Sequence, residues 1–85
     1  MKIVISPRAE KQFRKLQKFD QIVINQKIRS FLESIPNEEK LSGYKDIFRV
    51  RVGNYRIVYR KGMPVYIILI AHRKDVYKLL KDVLR

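Results

Sequence analysis

Arginines alternate with apolar residues along two adjacent segments in the middle of this chain. Arg49 and Arg51 lie in the first segment, Arg56 and Arg60 lie in the second, and Gly53-Asn54 separates the two. Guanidinium groups are rigid, forked donors that match a phosphate, so clustered arginines are suited to holding a phosphodiester. A second interpretation is a sheet face that the arginines only keep in contact with water. The hairpin alone leaves both interpretations open.

The dipeptide Gly53-Asn54 predicts which of these residues face each other. It is typical of a two-residue β-hairpin turn, and such a turn sets Arg51 opposite Arg56 and Phe48 opposite Tyr59. Like charges that face each other destabilise a sheet. No acidic residue lies within the hairpin to relieve them. The register therefore favours a bound anion as the missing countercharge.

A second group of polar residues, His72 to Lys78, follows the most apolar run of the chain. Histidine is the side-chain type whose ordinary pKa suits proton transfer near neutrality, and this chain has one. A lone histidine is more often a surface residue than a catalytic one. The segment also opens a predicted helix, whose free N–H groups attract phosphate. Tyr77 is either a core residue of that helix or an aromatic lid over the phosphate.

The chemistry open to these residues is narrow. The sequence shows no acidic cluster for Mg²⁺, no Ser-His-Asp arrangement and no glycine-rich phosphate loop. RNA can still be cleaved without a metal, because its 2′-hydroxyl attacks the adjacent phosphate. The protein must then position that phosphate, neutralise the developing charge and move two protons. Because DNA lacks the 2′-hydroxyl, this route selects RNA.

The N-terminal half predicts a strand and a helical hairpin. Residues 2–5 predict a short strand, and Ser6-Pro7 is a typical helix start. Asp20 is the predicted cap of a second helix, which Pro36 ends, and residues 37–43 form a polar loop. The apolar stripe of the first helix is Ala9, Phe13 and Leu16, and that of the second is Ile24, Ile28, Phe31, Leu32 and Ile35.

The C-terminal half predicts three strands and a last helix. After the arginine hairpin, residues 65–70 are apolar on both faces, which is typical of a central strand. Helical spacing returns over residues 75–84. The order β-α-α-β-β-β-α indicates an α+β fold, in which an antiparallel sheet packs against the N-terminal helical hairpin. We expect one domain over residues 1–85. The hairpin face predicted to meet the helices comprises Phe48, Val50, Val52, Tyr55, Ile57 and Tyr59.

Composition restricts the class of protein further. Twenty Lys/Arg against eight Asp/Glu give a net charge of +12, of which +8 falls in residues 49–85. Such a charge repels itself and calls for a negative partner. The chain has no cysteine, which excludes disulfides and thiolate zinc sites. Its longest apolar run, residues 65–71, is far shorter than a membrane span. We therefore expect no membrane association and a cytoplasmic location.

The order of elements, together with two motifs, resembles the RelE/ParE toxin superfamily, and its RelE branch more closely. The motifs are FRVRVGNYRIVYR over residues 48–60, preceded by Leu41-Ser42-Gly43, and HRKDVY over residues 72–77. The resemblance covers essentially the whole chain. It implies the toxin of a type II toxin–antitoxin pair, which cleaves messenger RNA in the ribosomal A site and leaves a 2′,3′-cyclic phosphate. It also implies no metal or cofactor, and an acidic or amphipathic antitoxin that wraps the toxin.

The resemblance also assigns roles to individual residues. Arg49 and Arg51 match the basic strand, Arg56 matches the transition-state arginine, and Arg73 and Tyr77 match the later arginine and the C-terminal tyrosine. Arginine has a pKa above ~12 and can hardly act as a base, so we expect His72 to accept the proton. Arg73 would donate a proton or stabilise charge, and Tyr77 would orient or stack. The expected contacts to the RNA backbone are Arg60, Lys61, Lys74 and Lys78.

Two other functions remain open at this point. The same fold serves ParE-like toxins that inhibit DNA gyrase by binding, although a gyrase binder has no need of the whole basic and aromatic set. A basic RNA- or DNA-binding module without activity is the second possibility, and in it the arginines only contact phosphates.

Overall fold

A five-stranded sheet with helices on both faces organises the chain. The computed structural model describes residues 2–34 and 38–84. The strands follow the order β1-β5-β4-β3-β2 across the sheet. The elements are β1 (Ile3–Ile5), α1 (Pro7–Arg14), α2 (Lys18–Ser30), β2 (Glu39–Lys40), β3 (Ile47–Val52), β4 (Tyr55–Arg60), β5 (Val65–His72) and α3 (Val76–Val83). The predicted α+β class is confirmed, and the order of elements is as predicted except for one additional strand, β2.

The sheet differs from the prediction at its two edges. Strand β1 runs parallel to β5, so the sheet is mixed, and only its other three strand pairs are antiparallel. Strand β2 lies in the segment predicted as loop, where Glu39 pairs with Arg49 and Lys40 pairs with Phe48. Two residues are too few to show an alternating pattern, and only the pairing with β3 makes them a strand.

The register of the arginine hairpin is confirmed. Arg51 pairs with Arg56, and Phe48 pairs with Tyr59. Gly53 makes this turn with a φ of 58°, in the left-handed region that glycine adopts without steric penalty. The repulsion between facing arginines is therefore built into the sheet.

The apolar face of the hairpin packs against α1 and α2, as predicted. This first core centres on Tyr59 and Phe31, both fully buried, with ring centroids 5.3 Å apart. The other buried members are Ala9, Ile24, Ile28, Val50, Val52, Ile57, Val65, Ile67 and Ile70. Because both strands of the hairpin contribute to it, this core holds β3 and β4 in place.

A second core lies on the arginine face of the sheet, beneath α3. It contains Ile47 and Val58 from the hairpin together with Val76 and Leu80 from the helix. A β-bulge between β4 and β5 turns both Ile68 and Leu69 toward this side. The arginine face is therefore half covered by apolar packing, and the prediction that β5 is apolar on both faces is confirmed.

The helix boundaries show one difference in capping. Ser6 caps α1, because its Oγ accepts a hydrogen bond from the Ala9 N–H at 3.0 Å. The N-cap position of α2 is Gln17, and Asp20, the predicted cap, lies within the first turn. The prediction that Pro36 ends the second helix is wrong, because α2 already ends at Ser30, and Leu32, predicted on its apolar stripe, is exposed. Ile35 and Pro36 themselves lie outside the described residues. None of the helices in residues 2–34 and 38–84 has the length and apolar character needed to cross a bilayer.

Two leucines test the second core against the protein surface. Leu80 is 4% exposed beneath α3, whereas Leu32 is 53% exposed just after α2. We expect Leu80→Ala to lower the free energy of unfolding by about 2–5 kcal/mol, because it leaves a cavity. Leu32→Ala should change it by less than about 0.5 kcal/mol. Urea denaturation followed by circular dichroism measures both, and equal losses would contradict the packing of α3.

Candidate active site

Four arginines share the sheet face that α3 partly covers, and three of them lie close together, while Arg60 pairs with Ile47 at the far end of β4. Arg49 and Arg51 lie on β3, and Arg56 lies on β4 directly opposite Arg51. The apolar neighbours on this face, Ile47 and Val58, are buried in the second core. The arginines therefore project from the uncovered part of the face, beside the edge of α3.

Arg56 is the most constrained member of this group. Its Nη1 donates to the backbone oxygen of Tyr55 at 2.9 Å and to that of Gly53 at 3.3 Å. Partial burial lowers the pKa of Arg56, and the charges of Arg51, Arg49 and Arg73 lower it further. Each of these causes disfavours the cation. A bound anion would offset them.

Arg73 reaches the same region from the turn between β5 and α3. Its backbone N–H donates to the oxygen of Asn54 at 2.7 Å, so this turn is tied to the hairpin turn. Its charge acts on Arg56. We call Arg49, Arg51, Arg56 and Arg73 the arginine cluster.

Tyr77 adds an aromatic ring beside the cluster. The guanidinium carbon of Arg49 lies 5.4 Å from the ring centroid, within the range of a cation–π interaction. The neighbouring Val76 is buried in the second core and fixes the start of α3, while Tyr77 is 48% exposed. The ring is therefore held against Arg49 and still open to a ligand.

Glu39 is a site residue that the sequence analysis did not identify. Its Oε2 lies 2.9 Å from Nη2 of Arg49. The hydrogen bond and charge of Arg49 lower the pKa of Glu39, and the charges of Arg51 and Arg56 lower it further. The hairpin itself contains no acid, but its neighbour β2 supplies one. With Glu39 included, the cluster carries a net charge of +3. The sequence does show a carboxylate shortly before the hairpin, but it does not indicate that Glu39 pairs with Arg49.

The structure separates His72 from the cluster. His72 pairs with Tyr55, and their rings meet edge to face with centroids 5.5 Å apart, on the side of the sheet that packs against the helical hairpin. There His72 lines a cavity of about 310 Å³ with Phe19 and Asp20. Its Nδ1 accepts the Lys74 N–H at 3.2 Å. This geometry does not support the predicted role of His72 as proton acceptor for a phosphate at the cluster.

The bulge in β5 is the reason for this placement. Strict alternation from Ile67, which faces the first core, would put His72 on the arginine face. Because Ile68 and Leu69 both face the second core, every later side chain changes sides. The prediction that His72 accepts a proton did not include the bulge, because no residue pattern in β5 indicates it.

Comparison with known families identifies the chain. The family model described as the ParE toxin of the type II toxin–antitoxin system parDE matches residues 3–77. The chain belongs to this toxin family. A comparison with curated protein sequences gave no significant match.

Solved structures of RelE toxins share the fold of this toxin. The RelB–RelE complex from Methanococcus jannaschii matches with a TM-score of 0.76 and 23% identity, over 89% of this chain and 96% of that one. The intact E. coli RelBE complex matches with a TM-score of 0.71 and 28% identity, over 84% of this chain and 94% of that one. The isolated E. coli RelE toxin matches with a TM-score of 0.71 and 27% identity, over 99% of this chain and 98% of that one. The resemblance to the RelE/ParE superfamily is confirmed.

The four predicted RNA-contacting residues of the toxin occupy two places. Lys74 and Lys78 are exposed beside Arg73 and Tyr77. Arg60 lies four residues from Arg56 along β4, with its guanidinium carbon 5.9 Å from the ring centroid of Tyr66. Lys61 follows it, and its Nζ lies 2.6 Å from Oε1 of Glu38. The first pair flanks the cluster, and the second lies roughly 13 Å away along the strand.

The ion pair of Glu38 makes the stability of the toxin depend on pH. Burial raises the pKa of Glu38, but hydrogen bonds from Lys61 and from the hydroxyl of Tyr59 outweigh it and hold the pKa below the ordinary 4.5. A carboxyl group whose pKa is lower in the folded than in the unfolded protein stabilises the fold when the pH is above the pKa of the unfolded state. This contribution is lost as the pH falls through the pKa of the folded state.

We therefore expect the midpoint of urea unfolding to fall as the pH drops below about 4.5, and to fall less in Glu38→Gln. Urea titrations between pH 7 and pH 3 measure the difference. Glu33→Gln, which removes an exposed carboxylate nearby, serves as the control and should follow the wild type. Parallel curves for all three proteins would contradict this role of Glu38.

Proposed function

We propose that this toxin is a metal-independent endoribonuclease that cleaves messenger RNA in the ribosomal A site. The observation that carries the proposal is the arginine cluster on one sheet face, with the ring of Tyr77 against Arg49. The 27–28% identity to the E. coli RelE toxin over nearly all of that chain supports the RelE branch. The reaction is attack of a 2′-hydroxyl on the adjacent phosphate.

The cluster supplies the electrostatic part of this reaction. Together with Glu39, the cluster has a net charge of +3, which attracts the scissile phosphate, and Arg49 and Arg51 present forked donors to the phosphate oxygens. Charge grows on those oxygens in the transition state. A fixed guanidinium stabilises the growing charge without reorganising, and the carbonyl contacts of Arg56 hold it in that way.

Arg73 and Tyr77 act on the two sides of the phosphate. Arg73 stabilises the departing 5′-oxygen by charge or by donating a proton. Tyr77 stacks on a base or orients the ribose, because its exposed ring offers a flat apolar surface. The 2′-hydroxyl restricts the reaction to RNA and leaves a 2′,3′-cyclic phosphate.

The wider charge of the toxin serves binding to the ribosome. Lys74 and Lys78 continue the positive surface beyond the cluster, and Arg60 and Lys61 add a second contact to RNA phosphates. Binding of this kind weakens steeply with salt. The activity implies a cytoplasmic protein. It also requires control by an antitoxin, and the RelB–RelE complexes among the structural relatives support such a partner.

A ParE-like inhibitor of DNA gyrase is the second candidate, because the matching family model is that of ParE toxins. Binding to gyrase, however, needs no cluster of four arginines held around one point. A basic binding module without activity is the third candidate. It leaves unexplained why Arg56 is held by two carbonyl groups.

Arg56→Ala separates these candidates. We expect it to reduce single-turnover cleavage on ribosomes programmed with a message by at least ~100-fold, since it removes a fixed transition-state contact. Binding to the ribosome should stay within about threefold, because most of the net charge remains. Primer extension measures the breaks, and filter binding measures affinity. Arg29→Ala, on the exposed side of α2, is the matched control and should cleave at the wild-type rate.

Other results would decide for the alternatives. Growth arrest with intact messages and an induced DNA-damage response would favour gyrase inhibition. Equal losses of affinity for Arg49→Ala, Arg51→Ala and Arg56→Ala, with no cleavage by the wild type, would favour a passive binding module.

A further inference from the structure

The arginine cluster lacks a group that can accept the proton of the attacking 2′-hydroxyl. Arginine keeps its proton at neutral pH and cannot serve. His72 lies on the other face of the sheet, against Tyr55. Tyr77 is a phenol, which is protonated near neutrality by type. Arginine and tyrosine side chains therefore position and stabilise, and a base must come from elsewhere.

We propose that Glu39 is the general base of this toxin, a catalytic role that rests on the proposed nuclease function. Strand β2 pairs with β3 so that Glu39 and Arg49 are direct neighbours on the arginine face. Their side chains meet at 2.9 Å, and the Glu39 side chain is still 58% exposed. The carboxylate thus lies beside the phosphate-binding groups and remains open to RNA.

A cavity lies beside Glu39 at the edge of the sheet. It has a volume of about 330 Å³ and is lined by Glu39, Arg51, Val50 and Lys27. That volume lies at the lower end of the range for small-molecule sites. The walls combine a carboxylate with cations from β3 and α2. Val50 and Lys27 belong to the side of the sheet that packs against the helical hairpin, so the cavity spans the edge of the sheet next to Glu39.

The charges around Glu39 set its protonation. The facing groups are Arg49 and Arg51 on β3, Arg56 on β4 and Lys27 on α2. The arginines depress the pKa of Glu39 and keep it ionised in the free toxin. A phosphate bound to the same arginines adds negative charge nearby and raises that pKa. Substrate binding therefore moves Glu39 from a weak base toward a competent one.

The step conserves atoms and charge. The 2′-hydroxyl gives its proton to a carboxylate oxygen of Glu39 while the new bond between O2′ and phosphorus forms. The bond between phosphorus and O5′ then breaks, Arg73 stabilises the charge on the departing O5′, and a water molecule protonates it. The resulting hydroxide takes the proton from Glu39. The products are a 2′,3′-cyclic phosphate and a 5′-hydroxyl, and the carboxylate is regenerated.

Glu39→Gln is the direct test, because glutamine keeps the shape and can still accept a hydrogen bond from Arg49. We expect single-turnover cleavage on programmed ribosomes to fall by at least ~100-fold, while affinity for the ribosome stays within about threefold. Glu10→Gln is the matched control, since Glu10 is another exposed carboxylate paired with an arginine, Arg14, and should cleave at the wild-type rate.

Two further measurements separate a base from a structural ion pair. Formate, but not chloride at equal ionic strength, should restore cleavage to Glu39→Ala, because only formate can accept a proton there. The wild-type rate should stay constant between pH 7.5 and about pH 5.5, because a carboxylate base stays ionised over this range. A histidine base would instead be protonated below ~6.5, and the rate would fall.

Cleavage by Glu39→Gln within threefold of the wild type overturns the assignment while the nuclease function stands. A rate that falls with a midpoint near ~6.5 and is abolished in His72→Gln also overturns it, and returns the role to histidine. A wild-type toxin that does not cleave at all removes the nuclease function itself. The failures of the two proposals are therefore distinguishable.

Discussion

Repulsion between Arg51 and Arg56 is the constraint on which the rest of the structure depends. The two guanidinium groups occupy directly opposite positions on neighbouring strands, an arrangement that opposes sheet formation. The strands stay together because each is held from both sides. On β4, Ile57 is buried against the helical hairpin and Val58 beneath α3, and on β3 the same two sides are buried by Val50 and Ile47. The two cores thus hold the strands together against the repulsion between these like charges.

Helix α3 has two functions that its sequence combines at adjacent positions. Val76 and Leu80 bury the apolar side of the helix, and Tyr77 stands against Arg49. The tie between Arg73 and Asn54 fixes the start of the helix to the hairpin turn. The helix therefore cannot move without moving the ring and the fourth arginine away from the cluster.

The sequence predicts the register of the arginine hairpin well and the placement of the residues around it poorly. A two-residue turn leaves one choice of register, so the pairing of Arg51 with Arg56 follows from Gly53-Asn54 alone. The order of elements follows from apolar periodicity. Apolar periodicity does not predict the sheet face on which His72 lies, because that face depends on one extra residue in β5 that no local sequence pattern indicates. The sequence did not predict Glu39 as a site residue for a similar reason, because strand β2 is defined only by its pairing with β3.

A carboxylate inside a basic cluster first looks like a loss of affinity for RNA, because it repels the phosphate that the arginines attract. The balance differs between the free and the bound toxin. Without substrate, Glu39 reduces the repulsion within the cluster through its contact with Arg49. With a phosphate bound, the arginines turn their donors to the phosphate, and the carboxylate is left beside a new negative charge that favours its protonation. In the proposed reaction, the 2′-hydroxyl supplies that proton. The interaction that stabilises the empty cluster would then become, once RNA enters, part of the driving force for proton transfer.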